Sequence, residues 1–211
     1  MVGLDLTEAG KRFQYEWIFK ALSFHIPAGS KCVVTGSNGS GKSTLLKCLS
    51  AVQPLTEGSI DYNFQEKKIK ETEIFEYLAI SAPYLELPEE FTLSELLSFH
   101  FKFKSPLEGL DHEEMVKLMY LDNQKDKYIS QFSSGMKQRL KLGLCLFSEA
   151  PLLFLDEPTS NLDSKGVDWY LKMMGLYAKE KTVVICSNEP KEYGFCDIQI
   201  HIEDYKLRPK L

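Results

Sequence analysis

The sequence predicts an α/β domain: a mostly parallel core sheet, an N-terminal antiparallel β-subdomain and a helical insert between two strand-rich portions. Three observations carry that prediction. The apolar runs Lys31–Thr35, Leu152–Leu155 and Thr182–Cys186 read as short strands buried on both faces. The first runs straight into a glycine-rich turn, after which Leu45, Leu46, Cys48, Leu49 and Val52 fall on one helical face. Between about 88 and 129, Leu93, Leu96, Leu97, Phe101 and the Met115–Leu121 run take up helical spacing, broken by Pro106 and Gly109.

The glycine-rich turn organises the chain. Gly36-Ser37-Asn38-Gly39-Ser40-Gly41-Lys42-Ser43-Thr44 fits G-x-x-x-x-G-K-[ST], with a third glycine at 39. Glycines remove Cβ atoms, so several backbone N–H groups can converge on one anion, and the helix start adds partial positive charge. Lys42 would reach the β- and γ-phosphates and the Ser43 hydroxyl would ligate Mg²⁺. The competing reading is a glycine-rich turn with a solvated lysine. A strand before the turn and an amphipathic helix after it favour the phosphate-binding loop of a P-loop NTPase, and hence a nucleoside triphosphate ligand.

Length and composition narrow the rest. A chain of 211 residues suits one domain with a real core, and a net charge of −5 argues against a general nucleic-acid surface. Cysteines at 32, 48, 145, 186 and 196 have no metal-ligand or C-x-x-C spacing, and read as buried free thiols of a reducing compartment. The N-terminal residues lack a signal-peptide pattern, and no apolar stretch reaches membrane-spanning length. The expectation is a soluble, cytoplasmic protein whose membrane role, if any, needs partner chains. His25, His100, His112 and His201 are scattered and predict no metal site.

In chain order, Gly3–Thr7 is a short strand candidate and Trp17–Ile26 a longer one, with Pro27-Ala28-Gly29 turning into the strand that feeds the loop. Among Phe13, Tyr15 and Trp17 an aromatic ring could stack on a base, or all three could be edge-strand packing. Gly58–Tyr62 and Glu76–Ala82 read as strands, and the charged stretch Gln65–Thr72 as a solvated loop. Phe132–Arg139 opens a helix with Met136, Leu140, Leu144 and Phe147 on its buried face. Asp163 is a suitable N-cap for a helix with Val167, Tyr170, Leu171 and Met174 on one face, and Ile198–Ile202 is a last strand candidate.

The second chemical signal is an apolar strand ending in two adjacent carboxylates. In a parallel sheet, strand C-termini open on the ligand crevice, so Asp156 and Glu157 belong beside the phosphate loop. Asp156 would hold Mg²⁺, mostly through water, and Glu157 would orient or deprotonate an attacking water. The alternative is an acidic turn that merely ends a strand.

Over essentially its whole length the sequence resembles the nucleotide-binding subunit of an ATP-binding cassette (ABC) transporter, of the small single-cassette type. Gly36–Thr44 matches the family's Walker A loop, Phe132-Ser133-Ser134-Gly135-Met136-Lys137 resembles the LSGGQ signature, Leu152–Glu157 with Pro158-Thr159-Ser160 resembles Walker B, and Ser160–Asp163 the D-loop. The resemblance implies one domain over 1–211, with a catalytic core at roughly 1–83 and 150–211 and a helical subdomain at 84–149. It implies two cassettes sandwiching ATP and Mg²⁺, with Ser133, Ser134 and Gly135 of one facing the γ-phosphate bound by the other. Phe13 falls where the family places its adenine-stacking aromatic, and Asp163 resembles the aspartate that links the two sites, although capping alone would also explain it.

Two positions depart from the family pattern. Tyr84 stands where a glutamine is usual, and a phenol is a poorer metal-shell ligand than an amide. Asn188 stands where histidine is usual; it can donate a hydrogen bond to a γ-phosphate but cannot take up a proton. The implied activity is ATP hydrolysis that energises a transporter, in a homodimer bound to a separate transmembrane subunit at the inner face of the cell membrane, without nucleic acid. Phe91, Phe99, Phe101 and Phe103 could line a groove for that subunit or belong to the core. The competing readings are a soluble ABC ATPase acting on ribosomes or nucleic acid, and a regulatory nucleotide-binding module of low turnover.

Overall fold

The computed structural model describes residues 1–65 and 67–207. The chain opens with β1 (Val2–Phe13) and β2 (Glu16–Ile26), an antiparallel hairpin, then enters β3 (Lys31–Thr35) and α1 (Lys42–Leu49). β4 (Glu57–Phe64) and β5 (Lys67–Ile69) follow, then a 3₁₀ turn at Ile74–Glu76 and β6 (Leu78–Ser81). The helical stretch holds α2 (Leu93–His100), α3 (His112–Leu118) and α4 (Ser134–Leu146). The chain then alternates: β7 (Leu152–Asp156), α5 (Ser164–Tyr177), β8 (Thr182–Cys186), α6 (Pro190–Tyr193) and β9 (Ile198–His201).

Two sheets result. The antiparallel sheet has order β2-β1-β4-β5, and the parallel sheet has order β6-β7-β8-β3-β9. The parallel strands are buried on both faces, as their near-continuous apolar sequences demand. Alternation sorts their side chains into two cores. Leu153, Leu155, Val183 and Ile185 face a cluster with α4, α5 and the other helices of the insert. Leu152, Phe154, Val184, Cys186, Cys32 and Val34 face the opposite cluster, with α1 and the antiparallel sheet.

Helix starts follow from local chemistry. Thr92 and Glu95 form a reciprocal capping box at α2, and the Asp111 carboxylate accepts the Glu114 N–H at 2.8 Å to start α3. Ser133 caps α4 and Asp163 caps α5, accepting the Gly166 N–H at 2.8 Å. Four cysteines are buried and Cys196 is half-buried; all five are free thiols. Among the described residues no helix is long and apolar enough to cross a membrane.

The structure corrects several local expectations. β1 is far longer than Gly3–Thr7: it is an inner strand that runs to Phe13, paired with β2 along one edge and β4 along the other, with register shifts near Ala9. Gln65–Thr72 is not simply a loop: Lys67–Ile69 is an edge strand, with Ile69 turned inward and two exposed lysines blunting the open edge. Glu76 lies in a 3₁₀ turn before β6 begins. Val52 lies past the end of α1 and is 61% exposed. On α5 the buried stripe is Gly166, Val167, Trp169, Tyr170, Met173 and Met174, which leaves Leu171 off the stripe and exposed.

Gly41 joins the two sheets at close quarters. Its φ is +109°, and a Cβ there would stand 2.3 Å from Ile18 Cγ2 on β2. Gly39, at φ +76°, has open space instead. The two substitutions therefore separate strain from crowding. Gly39→Ala is expected to cost about 1 kcal/mol, from the left-handed backbone alone. Gly41→Ala is expected to cost roughly 2–4 kcal/mol in urea unfolding, and Ile18→Ala in the same chain should recover part of that loss.

Lys181, buried at the start of β8, donates to the carbonyl oxygens of Leu146 (2.9 Å) and Ser148 (2.8 Å), closing the end of α4. Burial pushes its ammonium down from 10.5 to about 8, against the opposing pull of Cys145 and Glu149. The unfolded chain holds that proton up to a higher pH than the folded one, so this group makes stability rise with pH between about 8 and 10.5. The rise is bounded at roughly 3 kcal/mol. Urea unfolding of wild type and Lys181→Met across that window should show a steeper rise in wild type; parallel profiles would exclude it.

Candidate functional site

Parallel pairing sets the site. β3, β7 and β8 point the same way, and Cys186 is in register with Val34 on one side and Asp156 on the other. The segments that leave these strands, Gly36–Gly41, Glu157–Asp163 and Ser187–Glu189, therefore emerge together at one sheet edge. A cleft of about 230 Å³ is lined there by Asn38, Gly39, Gly41, Lys42, Ser43, Thr44 and Glu157. Beside it lies a cleft of about 330 Å³, which Asn38, Glu157 and Asn188 also line.

Gly36, Ser37 and Ser40 of the loop do not line the first cleft; they hold the loop from behind. A Cβ on Gly36 would stand 2.8 Å from both Ile202 and the Ser40 hydroxyl. The Ser37 N–H donates to Glu203 Oε1 at 3.0 Å, and its hydroxyl donates to the same oxygen. Those two hydrogen bonds hold the Glu203 carboxyl below its ordinary value. Lys42 is buried, and its Nζ donates to the carbonyl oxygens of Gly36 (2.8 Å) and Ser37 (3.2 Å). Leu45 makes the first helical hydrogen bond, to Gly41 at 2.8 Å. Among the described residues, the N–H groups of Gly39, Gly41, Lys42, Ser43 and Thr44 bond no other backbone carbonyl, as expected at a helix start.

These groups fit a phosphate chain and a hard cation. Gly39 leaves open the space a side chain would fill, and unpaired N–H groups converge there with the start of α1. Asp156 is 2% exposed. Burial pushes its carboxyl above the ordinary carboxylate value, while a hydrogen bond with the Ser43 hydroxyl pulls it down; Glu157 raises it, and Lys42 and Lys47 lower it. Ser43 and Asp156 thus form a pair of hard oxygen ligands of the kind Mg²⁺ takes. Among the described residues there is no group of three or more His, Cys, Asp or Glu placed to hold a metal ion.

Glu157 is exposed, with φ +44°, and its N–H donates to Cys186 O at 2.9 Å. Asn188 reaches back to the loop, donating from Nδ2 to Asn38 Oδ1 at 3.1 Å. Tyr84 is 39% exposed, with the Lys47 ammonium 4.0 Å from its ring centroid. Burial raises its phenol, with Asp156 and then Cys186 adding to the rise. Phe13 ends β1 at the hairpin tip, 46% exposed, with Lys11 Nζ 5.3 Å from its ring centroid.

Ser133, Ser134 and Gly135 line neither cleft. Ser133 and Ser134 are exposed at the start of α4, and Gly135 lies against the D-loop, where a Cβ would stand 3.2 Å from Asn161 O. Asp163 is exposed and caps α5. Three supporting residues carry no signal in the motifs. Ile18 packs over Gly41, buried Gln138 donates to Pro158 O at 2.7 Å, and buried Glu192 accepts the Thr159 N–H at 2.9 Å. The spacing from Ser133 to Gln138 on one helix could have hinted at the second; nothing local marks the others.

Comparison with known proteins agrees with this geometry. An ABC_tran sequence model, described as ABC transporter, matches residues 19–160. The ABC transporter ATP-binding protein YybJ of Bacillus subtilis is 28% identical over 208 residues, covering 97% of this chain and 94% of its own. The bacitracin export ATP-binding protein BceA of Halalkalibacterium halodurans is 28% identical over 212 residues, covering 96% and 84%. The ATP-binding cassette MJ0796, solved as a post-hydrolysis dimer with ADP and Pi, superposes with a TM-score of 0.80 at 22% identity, over 98% of this chain and 100% of that one. With strand, phosphate loop, paired carboxylates and signature helix arranged in this way, the chain belongs to the ABC transporter family of ATP-binding proteins.

Proposed function

We propose that this chain binds ATP with Mg²⁺, closes on a second copy of itself and hydrolyses the nucleotide to energise a membrane transporter. One observation carries the reading. Lys42, Asp156, Glu157 and Asn188 meet at one sheet edge, while Ser133, Ser134 and Gly135 are turned away from both clefts of their own chain. Their free N–H groups at the start of α4 can reach a γ-phosphate only from another protomer.

In this reading the N–H groups of Gly39 and of Gly41 to Thr44, with the Lys42 ammonium, grip the phosphates, Asn38 lines the cleft beside them, Gly36, Ser37 and Ser40 brace the loop, and Phe13 stacks on the base. Ser43 and Asp156 would hold Mg²⁺, Asp156 mostly through water, and the ion would supply positive charge against the phosphate oxygens. Glu157 takes a proton from the attacking water, and Asn188 orients the γ-phosphate by donating a hydrogen bond. Tyr84 sits at the edge of the metal shell, and Asp163 keeps the D-loop seated at the second protomer. The domain boundaries proposed are those of the sequence: a helical subdomain at 84–149 and a catalytic core around it.

The membrane partner docks on that helical face. Phe91, Phe99 and Phe103 stack edge to face, with centroids 5.4 and 5.2 Å apart, and Phe99 and Phe103 are 45% and 74% exposed. Such a row suits an apolar partner. In this reading the chain works in the cytoplasm, peripheral to the membrane, and takes no nucleic acid. A regulatory module of low turnover is the second reading, favoured by Asn188, which already binds Asn38 and cannot carry a proton.

Two variants test these roles. Glu157→Gln should keep ATP affinity while cutting turnover at least a hundredfold, with a dimer accumulating in ATP on size-exclusion chromatography. Undiminished turnover would remove Glu157 as the base. Asn188→His should raise turnover per site several-fold, as an ionisable group returns to the γ-phosphate; an unchanged rate would show that asparagine serves as well.

A further inference from the structure

We propose that Glu192, on the single helical turn α6, is a positioning residue that ties the Asn188 segment to the turn carrying Glu157. The inference rests on the ATPase reading above.

Glu192 is 3% exposed, and a carboxylate so buried needs strong hydrogen bonds. Its Oε1 accepts both the N–H of Thr159, at 2.9 Å, and the Thr159 hydroxyl. Thr159 lies two residues past Glu157 in the turn that aims the catalytic carboxylate. That turn is pinned elsewhere as well. The Glu157 N–H donates to Cys186 O at 2.9 Å, the Ser160 N–H donates to Glu157 O at 3.0 Å, and Gln138 Nε2 donates to Pro158 O at 2.7 Å. Glu157 has φ +44°, a backbone state that persists only where the surroundings over-determine it. Glu192 supplies the constraint on the side of Asn188. Its own carbonyl accepts the Tyr170 hydroxyl at 3.0 Å, which fastens α6 to α5.

Glu192 Oε2 has no hydrogen-bond partner among the described residues, nor has the Ser160 hydroxyl, and both residues line the cleft that Glu157 and Asn188 share. A neutral amide could hold Thr159 equally well through one oxygen. Asn188 and Glu157, on segments far apart in sequence, thus move as one unit through a single carboxylate.

The test compares wild type, Glu192→Ala, Glu192→Gln, Thr159→Val and the Glu192→Ala/Thr159→Val double variant. It reads ATP turnover against ATP concentration, and amide hydrogen exchange of the Glu157–Ser160 turn without nucleotide. Glu192→Ala should lower kcat about ten- to a hundredfold with KM within about threefold, the signature of a lost transition-state contact. Glu192→Gln, which keeps an acceptor for Thr159, should restore kcat to within about threefold, and the double variant should be no worse than Glu192→Ala. The Thr159 amide should exchange at least about tenfold faster in Glu192→Ala and not in Glu192→Gln.

Wild-type kcat in Glu192→Ala, or equal losses in the Ala and Gln variants, would overturn the proposal. Should Glu192→Ala not fold, Thr159→Val must itself lower kcat at constant KM, and its failure to do so overturns the proposal equally. Equal turnover in wild type and Glu157→Gln would remove the ATPase role of Glu157 and this role with it. Glu157-dependent turnover that ignores Glu192 removes only the positioning role.

Discussion

The main-chain register of β8 between β3 and β7 is the constraint on which the rest depends. Cys186 stands level with Val34 and with Asp156, so three chain segments of unrelated sequence leave the sheet at the same height. Nothing in the loops could achieve that alone. A shift of the register by one residue would turn every side chain of the strand to the other face and pull Asp156 away from Ser43. Burial on both faces prevents the shift, because each strand divides its side chains between two apolar clusters that are already filled.

The antiparallel sheet and the helical stretch act on this edge from opposite sides. Ile18 of β2 closes over Gly41, so the phosphate loop is packed against the first hairpin as well as against its own helix. On the other side, α4 joins the Walker B turn through Gln138 and the D-loop through Gly135. Both contacts tie the start of α4 to the chain segment that follows Glu157.

Charge at the edge is arranged unevenly. Lys42 is buried with its ammonium on loop carbonyls, Asp156 is buried, and Glu157 is exposed. A phosphate chain and its cation would replace the carbonyl contacts of Lys42 and relieve the cost of burying Asp156. Tyr84 lies beside this edge: the Lys47 ammonium is 4.0 Å from its ring centroid, and burial, then Asp156, raise its phenol above the ordinary value.

The sequence by itself determined what is local: the glycine pattern of the phosphate loop, the apolar strands, the cap at Asp163, and the order of motifs that marks the family. Such features depend on periodicity and on a few neighbouring residues, and they are written in consecutive letters. The tertiary structure alone decided which distant residues meet. Ile18 over Gly41, Glu203 on Ser37, Gln138 on Pro158 and Glu192 on Thr159 are contacts between elements brought together by strand order. It also decided that Trp169 and Met173 turn inward while Leu171 does not, and that Lys67–Ile69 joins a sheet edge. The reason is the same throughout: in a parallel sheet of order β6-β7-β8-β3-β9 the neighbours in space are not neighbours in the chain, and propensity carries no information about them.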